Sequence, residues 1–92
     1  MAKAKASHIL VKDEAKCLDL KNQIEAGASF ADLASKHSMC PSRSQGGSLG
    51  EFFRGQMVPE FDKVVFFEEV GKTHGPVKTQ FGYHLIYIES RS

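Results

Sequence analysis

The stretch Phe81-Gly82-Tyr83-His84-Leu85-Ile86-Tyr87-Ile88-Glu89 decides the fold. β-Branched and aromatic residues dominate residues 83–89, the composition of a pleated strand. Alternation places His84, Ile86 and Ile88 on one face and Tyr83, Leu85 and Tyr87 on the other. A polar, titratable ring in such a strand needs a reason. Upstream, Thr79-Gln80-Phe81-Gly82 reads as a hairpin-like connection to a short edge strand over residues 76–78, where Pro76 is tolerated. Gly71 and Gly75 bracket the turn before it.

The other end of the chain carries a similar anomaly. Ser7-His8-Ile9-Leu10-Val11 lies in a predicted strand over residues 4–12, with His8 and Leu10 on one face and Ile9 and Val11 on the other. If the first and last strands pair, the two imidazoles face each other in the middle of the sheet. Between them, Asp13 is the expected N-cap of a helix reaching about residue 26, with Gly27 as C′ and Cys17, Leu20 and Ile24 as its apolar stripe. Ser29 caps a second helix, with Asp32 in a capping-box-like position and Phe30, Leu33, Ala34 and His37 on one face. Residues 38–47 are rich in turn formers, and a short helical turn can start at Pro41. A strand over 49–54 ends at Gly55, and Pro59 opens a helix to residue 67 that buries Phe61, Val64 and Val65. The order β-α-α-(short α)-β-α-β-β predicts an α+β domain with one antiparallel or mixed sheet.

The bulk properties agree. At 92 residues the chain is expected to be a single domain over residues 1–92, with most of its apolar residues committed to one modest core. A net charge of +1 offers no field for nucleic acid or an anionic membrane, and neither is an expected partner. No apolar run approaches the roughly 20 residues of a bilayer span. Met1 to Lys5 is not followed by the apolar region of a secretory signal. Cys17 and Cys40 are therefore expected to be reduced thiols of a cytoplasmic protein.

Several blocks then resemble one family. Ala6-Ser7-His8-Ile9-Leu10-Val11, Ser44-Gln45-Gly46-Gly47-Ser48-Leu49-Gly50-Glu51-Phe52, Gly55-Gln56-Met57-Val58-Pro59-Glu60-Phe61 and Gly75-Pro76-Val77-Lys78-Thr79-Gln80-Phe81-Gly82-Tyr83-His84 are similar to the parvulin-type peptidyl-prolyl cis/trans isomerases. The resemblance covers nearly the whole chain in order, and the length is similar to small stand-alone prokaryotic members. It implies a four-stranded antiparallel sheet flanked by four helices, in the order β-α3-β-α-β2. It also implies an isomerase that assists protein folding without a cofactor and acts as a monomer on proline-containing segments of unfolded or flexible proteins.

From spacing alone, Leu49, Met57, Phe61 and Phe81 read as core. The resemblance instead makes Met57 and Phe61 a proline pocket, with Leu49 and Phe81 near its rim. It places Cys40 at the position of an active-site thiol, matches His8 and His84 to a paired set, and adds Thr79 to their hydrogen-bond network. Two neutral rings can bond if one presents N–H and the other a bare nitrogen. Cys40 is expected to tune polarity beside the rotating carbonyl, and Cys17 to be core. His37 and His74 read as surface residues. A zinc site from His8, Cys40 and His84 would use ligand residue types, but no close pair and no fourth ligand accompany them, so no metal is expected.

The chain departs from phosphate-directed parvulins. Val11-Lys12-Asp13-Glu14 runs straight into a helix, without their inserted basic loop, so no phosphate preference is expected. Met39 stands where some relatives carry Asp beside the thiol. Two other readings compete with the isomerase: a groove that binds extended segments as a chaperone without turnover, and a Cys-His acyl-transfer enzyme.

Overall fold

The computed structural model describes residues 2–92. The elements are β1 (Lys3–Val11), α1 (Glu14–Glu25), α2 (Phe30–His37), a 3-10 helix (Pro41–Gln45), β2 (Ser48–Phe53), α3 (Pro59–Phe67), β3 (Thr73–Thr79) and β4 (Gly82–Arg91). The strands form one four-stranded antiparallel sheet in the order β2-β1-β4-β3. The first and last strands are therefore its central pair. Of the four expected helices, the segment after α2 is the exception: led by Pro41, it winds a tight five-residue 3-10 helix instead of an α-helix. The edge strand β3 is longer than the expected 76–78 and is irregular between His74 and Val77, where Pro76 interrupts the ladder.

Local signals set the helix ends. Asp13 Oδ1 accepts from Ala15 N–H at 3.0 Å, and Ser29 Oγ accepts from Asp32 N–H at 3.3 Å. Caps of this kind contribute about 1 kcal/mol each. α3 has no side-chain cap; Val58 occupies that position and Pro59 supplies the preset φ of the first turn.

The sheet is covered on both faces, and its alternation sorts the core into two layers. Ile9, Val11 and Leu85 pack with Cys17, Leu20, Leu33 and Ala34 beneath α1 and α2. Ala4, Ala6, Ile86 and Ile88 pack with Phe52, Phe61, Val65 and Phe66 beneath α3. Within α3, Phe66 rather than Val64 completes the buried stripe, and Asp62 is buried beside Phe61. His8 and His84 belong to the α3 face. Their strands pair with His8 opposite Ile86 and Leu10 opposite His84, so the two imidazoles sit diagonally across the central ladder.

Candidate functional site

β2 pairs with β1 only as far as Ser7, opposite Ser48. Beyond it the edge of β1 is taken over by two loop segments. His8 N–H donates to Gly47 O at 2.9 Å, and Met39 N–H donates to Leu10 O at 2.8 Å. Gly47 permits the first approach: a Cβ there would lie 2.5 Å from the His8 carbonyl oxygen, and φ is +86°. The second is locked by Ser38, which is 1% exposed. Its Oγ accepts from Leu10 N–H at 3.1 Å and from Cys40 N–H at 3.3 Å. Ser38 thus stands in for a strand residue and delivers Met39 and Cys40 to the edge of the sheet. Sequence reasoning passed over Ser38; its place at the C-terminal cap of α2, directly before Met39-Cys40, was the available signal.

The α3 face of the sheet, the 38–41 segment and the β2–α3 turn enclose a groove of about 370 Å³. It is lined by His8, Leu10, Met39, Cys40, Pro41, Leu49, Met57, Val58, Phe61, Phe81 and His84. No Lys, Arg, Asp or Glu contributes to this lining. Every residue expected at the site except Thr79 is on its wall, and Thr79 lies directly behind it. Phe61 is deeply buried, Leu49 and Met57 are half-buried, and Phe81 at the rim is 57% exposed. Met39 and Phe81 together extend the apolar surface outward from the cup.

Behind the wall runs a chain of polar groups. Thr79 Oγ1 lies 2.8 Å from His84 Nε2, and His84 Nδ1 lies 3.1 Å from His8 Nδ1. Phe81 N–H donates to Thr79 Oγ1 at 3.2 Å. With one proton on each neutral ring, one Nδ1–H donates to the other Nδ1, and the tautomer of His84 sets whether the Thr79 hydroxyl donates to Nε2 or accepts from it. His8 Nε2 has no hydrogen-bond partner among the described residues, so the pair is less completely satisfied than the sequence suggested. The imidazoles are nearly parallel, with centroids 5.3 Å apart, and Phe61 meets both edge-on at 5.5 and 5.7 Å.

Burial keeps the rings neutral. Desolvation, helped by the charge of His84, pushes His8 down to about 4. Burial also lowers His84, against an opposing pull from the Glu60 carboxylate. Two neutral imidazoles can donate and accept hydrogen bonds but provide no cation near neutral pH. Neither ring nitrogen of either histidine bonds the Cys40 thiol. Among the described residues, no three His, Cys, Asp or Glu side chains converge to hold a metal ion. His37 and His74 lie away from the groove; the His74 ring bonds the Glu69 carbonyl at 2.8 Å.

The chain is 41% identical over 92 residues to the foldase protein PrsA of Halalkalibacterium halodurans, a match spanning 99% of this chain and 28% of that protein. The crystal structure of the peptidylprolyl isomerase PrsA from Bacillus anthracis superposes with a TM-score of 0.96 at 38% identity, over 99% of this chain and 42% of that one. Pin from the archaeon Cenarchaeum symbiosum superposes with a TM-score of 0.85 at 42% identity, over 96% and 92%. The chain thus spans about a third of the length of the curated relatives it matches, and nearly all of the archaeal protein. The family profile of the PPIC-type PPIase (rotamase) domain matches residues 3–90. With that match covering both histidine strands and every element between them, the chain belongs to the PPIC-type PPIase domain family.

Proposed function

We propose that this chain catalyses cis/trans isomerisation of X–Pro bonds in unfolded or flexible protein segments. The observation that carries this reading is an apolar cup, free of charged side chains, closed behind by two neutral histidines and flanked by a free thiol. Rotation about the imide faces a barrier of roughly 18–20 kcal/mol because resonance holds the bond planar. No covalent bond has to break. Met57, Phe61 and Leu49 would grip the pyrrolidine ring while the carbonyl side turns. Water bonded to the imide carbonyl supports the planar resonance form, and an apolar wall excludes it. Each ~1.4 kcal/mol of preference for the twisted state is a tenfold gain in rate.

The geometry supports a role for each residue. Cys40 sets the polarity of the wall beside the rotating carbonyl. Thr79, His84 and His8 hold the floor in one orientation. The absence of Lys and Arg from the lining, and the direct passage from β1 into α1, support a substrate without phosphate. Monomeric action on proline-containing segments belongs to the same proposal, as does a reducing, cytoplasmic setting, for which the two free thiols are the support. Fractionation of the producing cells tests that location.

The decisive experiment is exchange NMR on a short X–Pro peptide with folded protein present. Acceleration is expected; its absence refutes the proposal. Binding without acceleration would favour the chaperone reading, which the exposed Met39 and Phe81 beyond the cup support. The acyl-transfer reading lacks an imidazole bonded to the thiol, and Cys40→Ser is expected to retain isomerase activity.

A further inference from the structure

We propose that Asp62 is a positioning residue whose carboxylate sets the distance between the two sides of the cup. This inference rests on the groove being the proline-binding site. Asp62 directly follows Phe61 in α3 and is 7% exposed, an unusual place for a carboxylate unless it is paired. Its Oδ1 accepts from Gly55 N–H at 2.9 Å, and its Oδ2 accepts from Arg54 Nε and Nη2 at 3.3 and 3.2 Å. All these bonds go to two successive residues of the β2–α3 turn. A carboxylate in a first helical turn ordinarily serves its own helix's free N–H groups. Here it reaches back across the turn instead.

The consequence lies in what the tie encloses. Gly55 holds a φ of +87°, which reverses the chain after β2. The Arg54 guanidinium is fixed a second time, over the Phe67 ring at 4.8 Å and the Phe66 ring at 5.7 Å. Gln56 Oε1 accepts from Phe53 N–H at 2.6 Å, which closes the turn on its other side. Only Met57 and Val58 then remain between the tied residues and Pro59, and both line the groove. Met57 comes from an exposed turn and Phe61 from a buried helix face. Such turns move freely unless anchored. Asp62 ties this turn to α3 one residue from Phe61, so the carboxylate couples the turn wall of the cup to its helix wall. Because Arg54 is half-exposed, the ion pair alone contributes little. The part-buried, charge-assisted bond to Gly55 N–H is the stronger part.

A purely stabilising role makes a different prediction, and α3 supplies the control. Its far end is held by Arg91 Nη1, which donates to Val65 O and Glu68 O at 2.8 and 2.7 Å and touches nothing in the cup. The test compares the full chain with Asp62→Ala, Asp62→Asn, Arg54→Ala and Arg91→Ala, using a Leu-Pro tetrapeptide as probe. It reads peptide Kd by NMR titration, KM and kcat for exchange, and the order parameter of the Met57 methyl group. In Asp62→Ala the Met57 methyl is expected to loosen, and Kd and KM to rise about tenfold, with kcat changed less than about twofold. Asp62→Asn keeps an oxygen for Gly55 N–H, and Arg54→Ala keeps the Gly55 bond, so both should fall between parent and Asp62→Ala. Arg91→Ala should lose stability and keep the parent's Kd and methyl order. Parent values of Kd and methyl order in Asp62→Ala would overturn the inference, as would an equal loss of affinity in Arg91→Ala. Should Asp62→Ala fail to fold, parent values in both Asp62→Asn and Arg54→Ala overturn it. A parent that binds the probe without accelerating exchange would refute the isomerase reading alone, since Kd and methyl order still decide the role of Asp62.

Discussion

Mild acid is the sharpest probe of the histidine pair. An unfolded chain protonates its histidines near 6.5, whereas His8 in the folded chain resists protonation until about 4. The folded state therefore binds fewer protons than the unfolded state below 6.5, and stability must fall as pH falls. The contribution is fully present above the unfolded value, declines as pH drops through that window, and is exhausted below about 4. At about 1.4 kcal/mol per pH unit, His8 alone costs on the order of 1 kcal/mol by about pH 5.5 and about 3 kcal/mol once the window is crossed. Burial lowers His84 too, and its effect has the same sign. Against a total of about 5–15 kcal/mol for a typical domain, this is a large share. Urea unfolding followed by circular dichroism between about pH 7.5 and about pH 5.5 would measure it, in a range where most carboxylates remain ionised. Nitrogen-15 spectra of the rings should show His8 neutral throughout. Added salt should not restore the lost stability, because desolvation is the leading cause. A flat stability profile over that range, or a His8 ring that titrates near its ordinary value, would rule out a buried, neutral histidine pair.

Other perturbations test neighbouring parts of the site. His84→Ala strips partners from both Thr79 Oγ1 and His8 Nδ1, so it should cost about 3 kcal/mol or more in urea unfolding; parent-like stability would dismiss the buried pair. Met57→Ala should raise KM with little loss of stability, since Met57 is half-buried on a turn. Phe61→Ala should lose both: Phe61 is 3% exposed and packs on Phe52 as well as on the two histidines, so the truncation costs about 3–5 kcal/mol. An aromatic disulfide reagent should modify Cys40 in the native protein but reach Cys17 only on unfolding, because Cys17 is fully buried and its thiol is pushed up to about 11.

Much of the fold was legible because its signals are local. Asp13 and Ser29 sit beside the helices they cap, and Pro59 opens α3 at its first residue. The alternation of His84, Ile86 and Ile88 against Tyr83, Leu85 and Tyr87 sorts the strand without knowledge of its neighbours. The less local the cause, the less was visible. The length of β3 depends on pairing with β4 across an interruption at Pro76, which composition does not reveal. Burial of Phe66 in place of Val64 depends on how α3 lies on the sheet.

The site divides along the same line. The residue types on each strand were determined by the sequence alone, and its resemblance to the parvulins added the apolar cup and the missing basic loop. The tertiary structure decided which of those residues meet. It brought together two histidines 76 positions apart, turned Thr79 back onto one of them, and left His8 Nε2 without a partner among the described residues. It also recruited Ser38 and Asp62, whose hydrogen bonds cross from one element to another. Periodicity and capping act over a few residues and are written in the order of the chain. Register, desolvation and the sharing of protons arise only once distant segments exclude water from between them.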